Sequence, residues 1–135
     1  MTNPTDSELE FSDAGPLALR MGIEILEASA ERVVGTMPVD GNTQPFGLLH
    51  GGASMVLAET LGSLGAHIAA GPGRTAVGIE INGSHHRGAR SGTIAGVATP
   101  ISLGRTLAVY EVVLTDDDGK KICTTRLTCL LRDLP

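Results

Sequence analysis

The sequence predicts an α+β domain in which an antiparallel sheet of about five to six strands is wrapped around one long central helix. One segment, residues 50–70, reads as a helix that is apolar on nearly all sides, so other elements must cover most of it. Two short strand-like segments precede this helix and four longer ones follow it. A sheet that curls around the helix is the simplest way to cover it.

The chain before the long helix is predicted to contain a tail, a short helix, two strands and a loop. Residues 1–14 are polar and acidic, so we expect a flexible N-terminal tail followed by a single domain over residues 15–135. The segment GPLALRMG favours a short helix with Pro16 near its start. MGIEILEAS and ERVVGTMPV read as strands joined by a turn. DGNTQPFG is rich in turn residues and indicates a loop.

The chain after the long helix is predicted to be mainly strand. The GPG of residues 71–73 is a strong stop signal for the helix, and DDDG at residues 116–119 reads as a hairpin turn. Four strands are expected, at residues 75–87, 93–100, 105–115 and 121–132. Strict alternation in the first of them places on one face Val77, Ile79, Ile81 and His85. His85 should therefore point toward the interior or a cleft, and His86 away from it.

Composition and charge limit the classes of partner. The formal net charge is −5 and no basic run exceeds two residues, which argues against a nucleic-acid partner but not against one small phosphorylated ligand. Cys123 and Cys129 are expected to be reduced core thiols without a metal. No apolar run reaches the length of a membrane span and the start lacks the apolar region of a signal peptide, so we expect a cytoplasmic protein.

The strand RTLAVYEVVLT, residues 105–115, is apolar on both faces. A sheet that packs on a single helix needs only one apolar face. The second face therefore predicts contact with another subunit.

The long helix carries one carboxylate, Glu59, in apolar surroundings. No Lys or Arg occurs from residue 44 to residue 73, so no local ion pair is available. Met55, Glu59, Ser63 and His67 follow one another at intervals of four and form one stripe. A carboxylate buried without a partner is rare outside functional sites, so we expect Glu59 to be buried and functional. The alternative is a solvent-facing edge of the helix.

The start of this helix indicates an anion-stabilising site. The sequence His50-Gly51-Gly52 lies where the chain enters the helix, and free N–H groups at a helix start can stabilise an oxyanion. Glycines there let a substrate approach the backbone closely, although close packing against a sheet would explain them equally well. Gln44, on the preceding loop, is a further candidate for contact with a carbonyl group.

The stretch QPFGLLHGGASMVLAETLGS, residues 44–63, resembles the signature of hotdog-fold thioesterases of the phenylacetate-pathway and enterobactin-pathway type. That group includes acyl-CoA and aroyl-thioester hydrolases and the 1,4-dihydroxy-2-naphthoyl-CoA thioesterases. The resemblance continues through VGIEINGSHHRGARSGTIAG and ISLGRTLAVYEVVLTDDDGKKICTTRL, and covers residues 15–131. It implies a hotdog fold and hydrolysis of an acyl- or aroyl-CoA or carrier-protein thioester. It also implies no cofactor, since coenzyme A is part of the substrate, and a homodimer or homotetramer with the site at the dimer interface.

The resemblance also implies roles for the matching residues. Glu59 would be the catalytic carboxylate, as nucleophile or as general base, and the N–H of Gly51 would polarise the thioester carbonyl. Gln44 and His50 would hold the carbonyl and position the reactants, and Ser63 would support Glu59 or the attacking water. In this arrangement Glu59 of one subunit faces Gln44, His50 and Gly51 of the other subunit.

Further residues are candidates for substrate binding. The resemblance places His85 near the acyl group or the CoA arm, and the apolar side chains of Met55 and Phe46 could shape the acyl pocket. The candidates for contact with CoA phosphates are Arg87, Arg90 and Arg105, with solvated turn arginines as the alternative. The one visible departure from the family pattern is Gly88, where relatives often have Pro after the H-x-R segment.

Two other functions fit the predicted fold. A hotdog enoyl-thioester hydratase would pair a His with an Asp or Glu in a different arrangement, so the spacing here disfavours it. A non-catalytic acyl-CoA sensor would usually add a DNA-binding segment, for which 135 residues leave no room. The sequence leaves open the identity of the acyl group, the choice between CoA and a carrier protein, and the choice between nucleophile and general base for Glu59.

Overall fold

The computed structural model describes residues 14–135 and shows two helices and six strands. The elements in chain order are α1 (Pro16–Met21), β1 (Glu24–Ala28), β2 (Val33–Pro38), α2 (Gly51–Ala70), β3 (Arg74–His85), β4 (Thr93–Leu103), β5 (Leu107–Thr115) and β6 (Lys121–Asp133). The predicted order of two strands, one long helix and four strands is confirmed. The flexible tail expected at the N-terminus lies outside the described residues except for its last residue, which is exposed.

The six strands form one antiparallel sheet in the order β1-β2-β4-β5-β6-β3. Helix α2 packs on one face of this sheet and contacts all six strands. The largest fully buried side chains lie between the two and include Leu57 and Leu61 of the helix and Ile94, Leu114 and Leu127 of the sheet. The α+β class and the sheet curled around one helix are therefore confirmed.

Helix α2 begins and ends where its local chemistry requires. His50 is the N-cap residue, with extended backbone angles, and its ring accepts a hydrogen bond from the N–H of Gly52. At the other end Gly71 has a φ of 83°, which a residue with a side chain rarely adopts, and Pro72 follows it. No helix within residues 14–135 has the length and hydropathy needed to cross a membrane.

Strand β3 lies at the edge of the sheet and contains a β-bulge between Gly78 and Glu80. The bulge inserts an extra residue, so the strict alternation predicted for this strand is wrong. Val77 and Ile79 are 41% and 57% exposed, whereas Ile81 packs against the core. Gly78 faces the helix before the bulge, and Gly83 and His85 face it afterwards.

The outer face of the sheet carries apolar side chains, as the two-faced pattern predicted for β5. Leu107, Leu130 and Val77 are opposite one another on β5, β6 and β3, and each is exposed. Coverage of this face by another subunit stays a prediction. Both cysteines lie on β6 as free, buried thiols, in agreement with the sequence-based expectation.

Candidate active site

A cavity of about 410 Å³ opens beside the first turn of α2. It lies where the helix start meets the preceding loop and the chain that leaves β3. The polar groups on its wall come from Gln44, Gly51, Ser54, His85, His86 and Arg87. Two of the residues predicted for carbonyl binding, Gln44 and Gly51, therefore share one cavity with two of the predicted substrate-binding residues, His85 and Arg87.

The N–H of Gly51 is unpaired in the described part of the chain. His50 Nδ1 accepts the hydrogen bond from Gly52 at 2.8 Å, and the carbonyl oxygen of His50 accepts from Ala53 at 2.9 Å and from Ser54 at 3.3 Å. Gly51 alone in this first turn has no acceptor among residues 14–135. Because its N–H belongs to the positive end of the helix dipole, it can donate to a carbonyl oxygen in the cavity.

His50 has a structural task that the sequence did not reveal. The N-cap bond occupies Nδ1 as an acceptor, so the neutral ring carries its proton on Nε2. The ring is exposed, and it leaves only Nε2–H for contact with a substrate. A cap of this kind stabilises a helix by about 1 kcal/mol.

Gln44 is held by its own loop. Its Oε1 accepts hydrogen bonds from the N–H groups of Phe46 and Leu48, and these two bonds fix the carboxamide. The NH₂ group of the carboxamide takes no part in them. A bridge between Thr43 and Leu49 closes the base of the loop. Phe46 is 81% exposed on this loop, so within one chain it does not line the cavity.

His85 lies against the helix start, as predicted from its face of β3. A Cβ atom on Gly51 would lie 3.0 Å from His85 Nε2, so the glycine makes room for the ring. His86 points the other way, and its Nε2 is 2.9 Å from the hydroxyl of Thr124. The close approach of His85 to Gly51 puts a ring nitrogen beside the unpaired N–H.

Glu59 is exposed, and the expectation that it would be buried is wrong for the single chain. The reason is that β3 is the last strand of the sheet, so no further strand within residues 14–135 covers the helix beyond it. The carboxylate lies over a glycine of this edge strand: a Cβ on Gly78 would be 2.9 Å from Glu59 Oε1. Gly78 thus allows the carboxylate to rest against the backbone of the sheet.

The predicted stripe on α2 follows β3 in the antiparallel direction. Met55 lies over Gly83, Glu59 lies over Gly78, and His67 Nδ1 is 3.2 Å from the hydroxyl of Thr75. The half-buried Met55 has its methyl group 2.7 Å from where a Cβ on Gly83 would be. The stripe therefore packs along the length of the edge strand β3.

Ser63 interacts with a group that the sequence treated as inert. Its hydroxyl lies near the buried thiol of Cys129 and forms no hydrogen bond to Glu59 within residues 14–135, unlike what the sequence suggested. Cys129 is opposite Gly78 on the neighbouring strand, which brings the thiol close to Glu59. Burial raises the pKa of the Cys129 thiol, the nearby Ser63 hydroxyl opposes that shift, and the Glu59 charge adds to it. The thiol is therefore protonated at neutral pH.

The candidate phosphate-binding arginines do not come together in one chain. Arg87 lines the cavity, and its Nε is 3.8 Å from Asp116 Oδ2. Arg90 donates to the carbonyl oxygen of Phe46 at 3.4 Å, close to the same cavity. Arg105 lies at the other end of the sheet, where its carbonyl oxygen accepts a hydrogen bond from Arg74 at the start of β3.

Comparison with known proteins identifies the family. The model of the thioesterase superfamily matches residues 46–123, which include all of α2 and every residue of the cavity wall except Gln44. The chain belongs to the thioesterase superfamily. It is 45% identical over 121 residues to the proofreading thioesterase EntH of Cronobacter turicensis, a match that covers 89% of this chain and 88% of that protein.

Solved structures agree with this assignment. A thioesterase from Haemophilus influenzae superposes with a TM-score of 0.88 at 39% identity, over 98% of this chain and 94% of that one. A Staphylococcus aureus protein, solved as a glutamate-to-alanine variant, has a TM-score of 0.82 at 32% identity over 88% of this chain and 100% of its own. The hotdog fold predicted from the resemblance is confirmed, and the chain is a thioester hydrolase.

The thioesterase has one further polar group in its cavity that the sequence reading missed. Ser54 of α2 is only 2% exposed and lines the cavity beside Gly51. The one indication in the sequence was the spacing of Ser54, which lies three positions after Gly51 and therefore on the same face of the helix. Within an apolar helix, a serine at that position gave no reason by itself to expect a site.

The thioesterase therefore carries two polar groupings that are separate within one chain. The cavity supplies hydrogen-bond donors from Gln44, Gly51 and Ser54, together with the ring of His85. Glu59 lies eight residues beyond Gly51, which is about 12 Å along the helix axis. That distance is too long for Glu59 and the Gly51 N–H of the same chain to contact one thioester group.

Proposed function

We propose that this thioesterase hydrolyses acyl- or aroyl-CoA thioesters, with Glu59 as the catalytic carboxylate and the Gly51 N–H as the oxyanion donor. The observation that carries the proposal is the Gly51 N–H at the cavity wall, which lies among other donors and has no acceptor within residues 14–135. As the carbonyl carbon is attacked, its oxygen gains negative charge, and donors placed in advance stabilise that charge. The reaction in this form requires no cofactor.

Glu59 would act either by attacking the carbonyl carbon or by removing a proton from water. In the first case a mixed anhydride forms as the thiolate of CoA leaves, and water then hydrolyses it. In the second case water adds directly while Glu59 holds its proton. Ser63 is a positioning residue in both cases, because it lies one turn beyond Glu59 on the same stripe.

The active site is proposed to form between two subunits. Strand β3 presents twelve residues of unprotected edge, which is a ready template for antiparallel pairing with a second copy. If Asn82 pairs with the partner subunit's Asn82, the bulge brings Gly78 opposite the partner subunit's His85. Glu59 lies over Gly78 and Gly51 lies against His85, so the carboxylate would face the partner subunit's Gly51.

The same pairing would bring the separated arginines together. Arg87 and Arg105 are at opposite ends of the sheet within one chain. Antiparallel pairing places the start of one β3 beside the end of the other, so the partner subunit's Arg105 would approach Arg87. We propose this end as the binding site for the phosphates of CoA. Met55, His85 and the partner subunit's Phe46 would surround the acyl group and the pantetheine arm.

The spacing of two substitutions in a relative supports the assignment of Gln44 and Glu59. The Staphylococcus aureus thioesterase has been solved as a glutamate variant and as a glutamine variant, and the two substituted positions are fifteen residues apart. Gln44 and Glu59 are also fifteen residues apart, with the glutamine first. The free, buried cysteines also fit the reducing cytoplasm that the sequence suggested.

Loss of the carboxylate tests the role of Glu59. Thiol release from benzoyl-, phenylacetyl- and medium-chain acyl-CoA would be measured for the wild type and for Glu59→Gln. We expect kcat to fall by about 10²–10⁴, because both proposed roles require the ionised carboxylate. Glu27→Gln is the matched control, since Glu27 is an exposed glutamate on β1 paired only with Arg32. A Glu59→Gln enzyme with wild-type kcat on every substrate would contradict the proposal.

Loss of the N–H tests the oxyanion role of Gly51. Gly51 is the first residue of α2, a position where proline fits a helix, and His50 already has the φ of −66° and ψ of 130° that a following proline requires. Gly51→Pro would therefore remove the N–H with little change in backbone. Gly51→Ala is the control, because it adds a Cβ beside His85 but keeps the N–H. We expect kcat of the proline variant to be about 10²–10³ below that of the alanine variant.

Mixing the two inactive variants tests the shared site. In a heterodimer of Glu59→Gln and Gly51→Pro chains, a site built from two subunits would have one intact copy and one doubly defective copy. Random mixing should then restore about a quarter of the wild-type activity, because half of the dimers carry one intact site. If each site were contained in one chain, every site would carry a defect, and mixing would restore nothing.

A further inference from the structure

The hydroxyl of Ser54 is the buried polar group that the proposed mechanism does not use. Ser54 is 2% exposed, and what remains accessible opens into the cavity beside Gly51. Its backbone N–H is bonded to the carbonyl oxygen of His50, whereas no hydrogen bond of its hydroxyl is formed within residues 14–135, where the paired buried hydroxyl of Thr125 is the contrast. Every fully enclosed side-chain oxygen and nitrogen within these residues is paired, so the Ser54 oxygen is one that the cavity still reaches, and it is free to bond a molecule bound there.

Comparison with a second buried hydroxyl shows how Ser54 differs. Thr125 is 4% exposed, and its hydroxyl donates to the carbonyl oxygen of Val112 at 3.0 Å. That bond lies in the core between β5 and β6, and it gives the Thr125 hydroxyl an acceptor for its only proton. Ser54 is buried to the same degree, but it faces a cavity large enough for part of a substrate.

The geometry of a helix determines where the Ser54 hydroxyl points. Side chains on an α-helix tilt toward its N-terminus, so the hydroxyl lies over the turn that begins with Gly51. The unpaired N–H of Gly51 also points toward the N-terminus and reaches the same cavity. Two donors therefore converge on one small volume, and His85 lies against the same turn.

We propose that Ser54 donates a second hydrogen bond to the thioester carbonyl oxygen, next to the bond from Gly51. This inference rests on the proposed function, which places that oxygen in the cavity. Ser54 keeps its proton and forms no covalent bond with the substrate. Its hydrogen bond strengthens as the carbonyl oxygen gains negative charge, and this lowers the barrier to attack. Ser54 is then a catalytic residue of the oxyanion site.

Removal of the hydroxyl separates this role from a structural one. Ser54→Ala removes no hydrogen bond formed within residues 14–135 and places a better helix former in α2, so the Tm should be unchanged or higher. We expect kcat to fall by about tenfold or more. Ser54→Cys keeps the shape of the side chain but replaces the hydroxyl with a thiol, which is a weak donor, so kcat should fall by a similar factor. Thr125→Val is the control: it removes a paired buried hydroxyl and should lower the Tm while kcat is retained.

Binding of two unreactive ligands locates the contact. One is a CoA ketone in which CH₂ replaces the thioester sulfur, so that the carbonyl is kept; the other is an alkyl-CoA thioether without a carbonyl. By titration calorimetry, Ser54→Ala should bind the ketone about fivefold more weakly than the wild type does, with the thioether unaffected. A kcat within twofold of the wild type, an equal loss for both ligands, or a Tm as low as that of Thr125→Val would each overturn the role of Ser54.

The same ligands distinguish this inference from the function on which it rests. If the wild type binds the ketone no better than the thioether, the carbonyl is not held in this cavity, and the proposed oxyanion site itself is overturned. If the wild type prefers the ketone and Ser54→Ala keeps the full preference, Gly51 can remain the donor, and only the assignment of Ser54 is overturned.

Discussion

Helix α2 packs against glycines on both of its sides, and the two sides use them differently. On the core side, Gly35 and Gly96 are paired across β2 and β4, and the two methyl groups of Leu61 lie over them. On the edge side, Gly78 of β3 lies beneath the carboxylate of Glu59. In each case a missing Cβ lets a helix side chain reach the sheet.

The difference lies in where the displaced side chain could go. Leu61 is fully buried, so an atom added beneath it would press into a filled core. Glu59 is exposed, so an atom added beneath it would turn the carboxylate toward solvent. The same steric contact therefore supports stability on one side of the helix and the position of a reactive group on the other.

Among the changes to the packing and capping of α2, the largest effect is expected from Gly78→Ala. The new Cβ would come within 2.9 Å of Glu59 Oε1 and displace the carboxylate, and a shift of about 1 Å in a reacting group can reduce the rate about 100-fold. The Tm should stay near the wild-type value, because the flexible end of an exposed side chain can move away. Kinetics and thermal unfolding of one preparation check both statements.

A double-mutant cycle identifies the cause of that loss. In the Glu59→Gln background, Gly78→Ala should reduce kcat little further, since the group that it displaces has already lost its function. A full additional loss in that background would mean that Gly78 acts on the site by another route.

The next effect in size is expected on the core side. Gly96→Ala would place a Cβ 2.6 Å from Leu61 Cδ1 and 2.9 Å from Leu114 Cδ2, and such overpacking lowers the free energy of unfolding by about 1–3 kcal/mol. The kcat of the folded enzyme should be unchanged. Urea unfolding at one fixed protein concentration measures the loss. With Leu61→Ala present to make room, the penalty should largely disappear; if it persists, the Leu61 contact is not its source.

A smaller effect is expected from the cap of the helix. His50→Ala removes the acceptor for the Gly52 N–H and should lower the free energy of unfolding by about 1 kcal/mol, whereas His50→Asn can still cap and should lose much less. Chemical unfolding of the two variants provides the comparison. Equal destabilisation by both would show that the ring is needed for something other than capping. If His50→Asn loses kcat at full stability, the exposed Nε2 contacts the substrate.

The smallest effect concerns Tyr110 and is absent at neutral pH. Burial, and then the charge of Glu31, raises the pKa of Tyr110 to about 12, and its hydroxyl donates to the carbonyl oxygen of Ala30. Between pH 10 and 12 the unfolded chain has lost a proton that the folded chain keeps, so the free energy of unfolding should fall as the pH rises. Tyr110 is the single tyrosine of a chain without tryptophan, so tyrosinate absorbance reports its titration directly. In Tyr110→Phe the free energy of unfolding should not show this fall between pH 10 and 12. If the variant shows the same fall, a group other than Tyr110 causes it.

The sequence by itself determined the order of the elements and the stripe of residues on the helix. The apolar pattern of α2, the GPG stop and the turn residues are local signals, and local sterics and hydrogen bonding decide their outcome. The stripe that contains Glu59 follows from helical spacing alone, and its contact with β3 agrees with that prediction. The predicted direction of the His85 side chain is correct because His85 lies beyond the bulge, where the alternation of side chains between the two faces of β3 resumes.

The tertiary structure decided which of these residues are covered and which come together. Glu59 is exposed because the strand order puts β3 at the edge of the sheet, and strand order depends on pairings between distant segments that no local pattern encodes. The bulge at Gly78, the separation of Arg87 from Arg105 and the burial of Ser54 have the same origin. The sequence could name a carboxylate and an oxyanion donor; only the packed chain shows that they lie too far apart to act on one thioester within a single subunit.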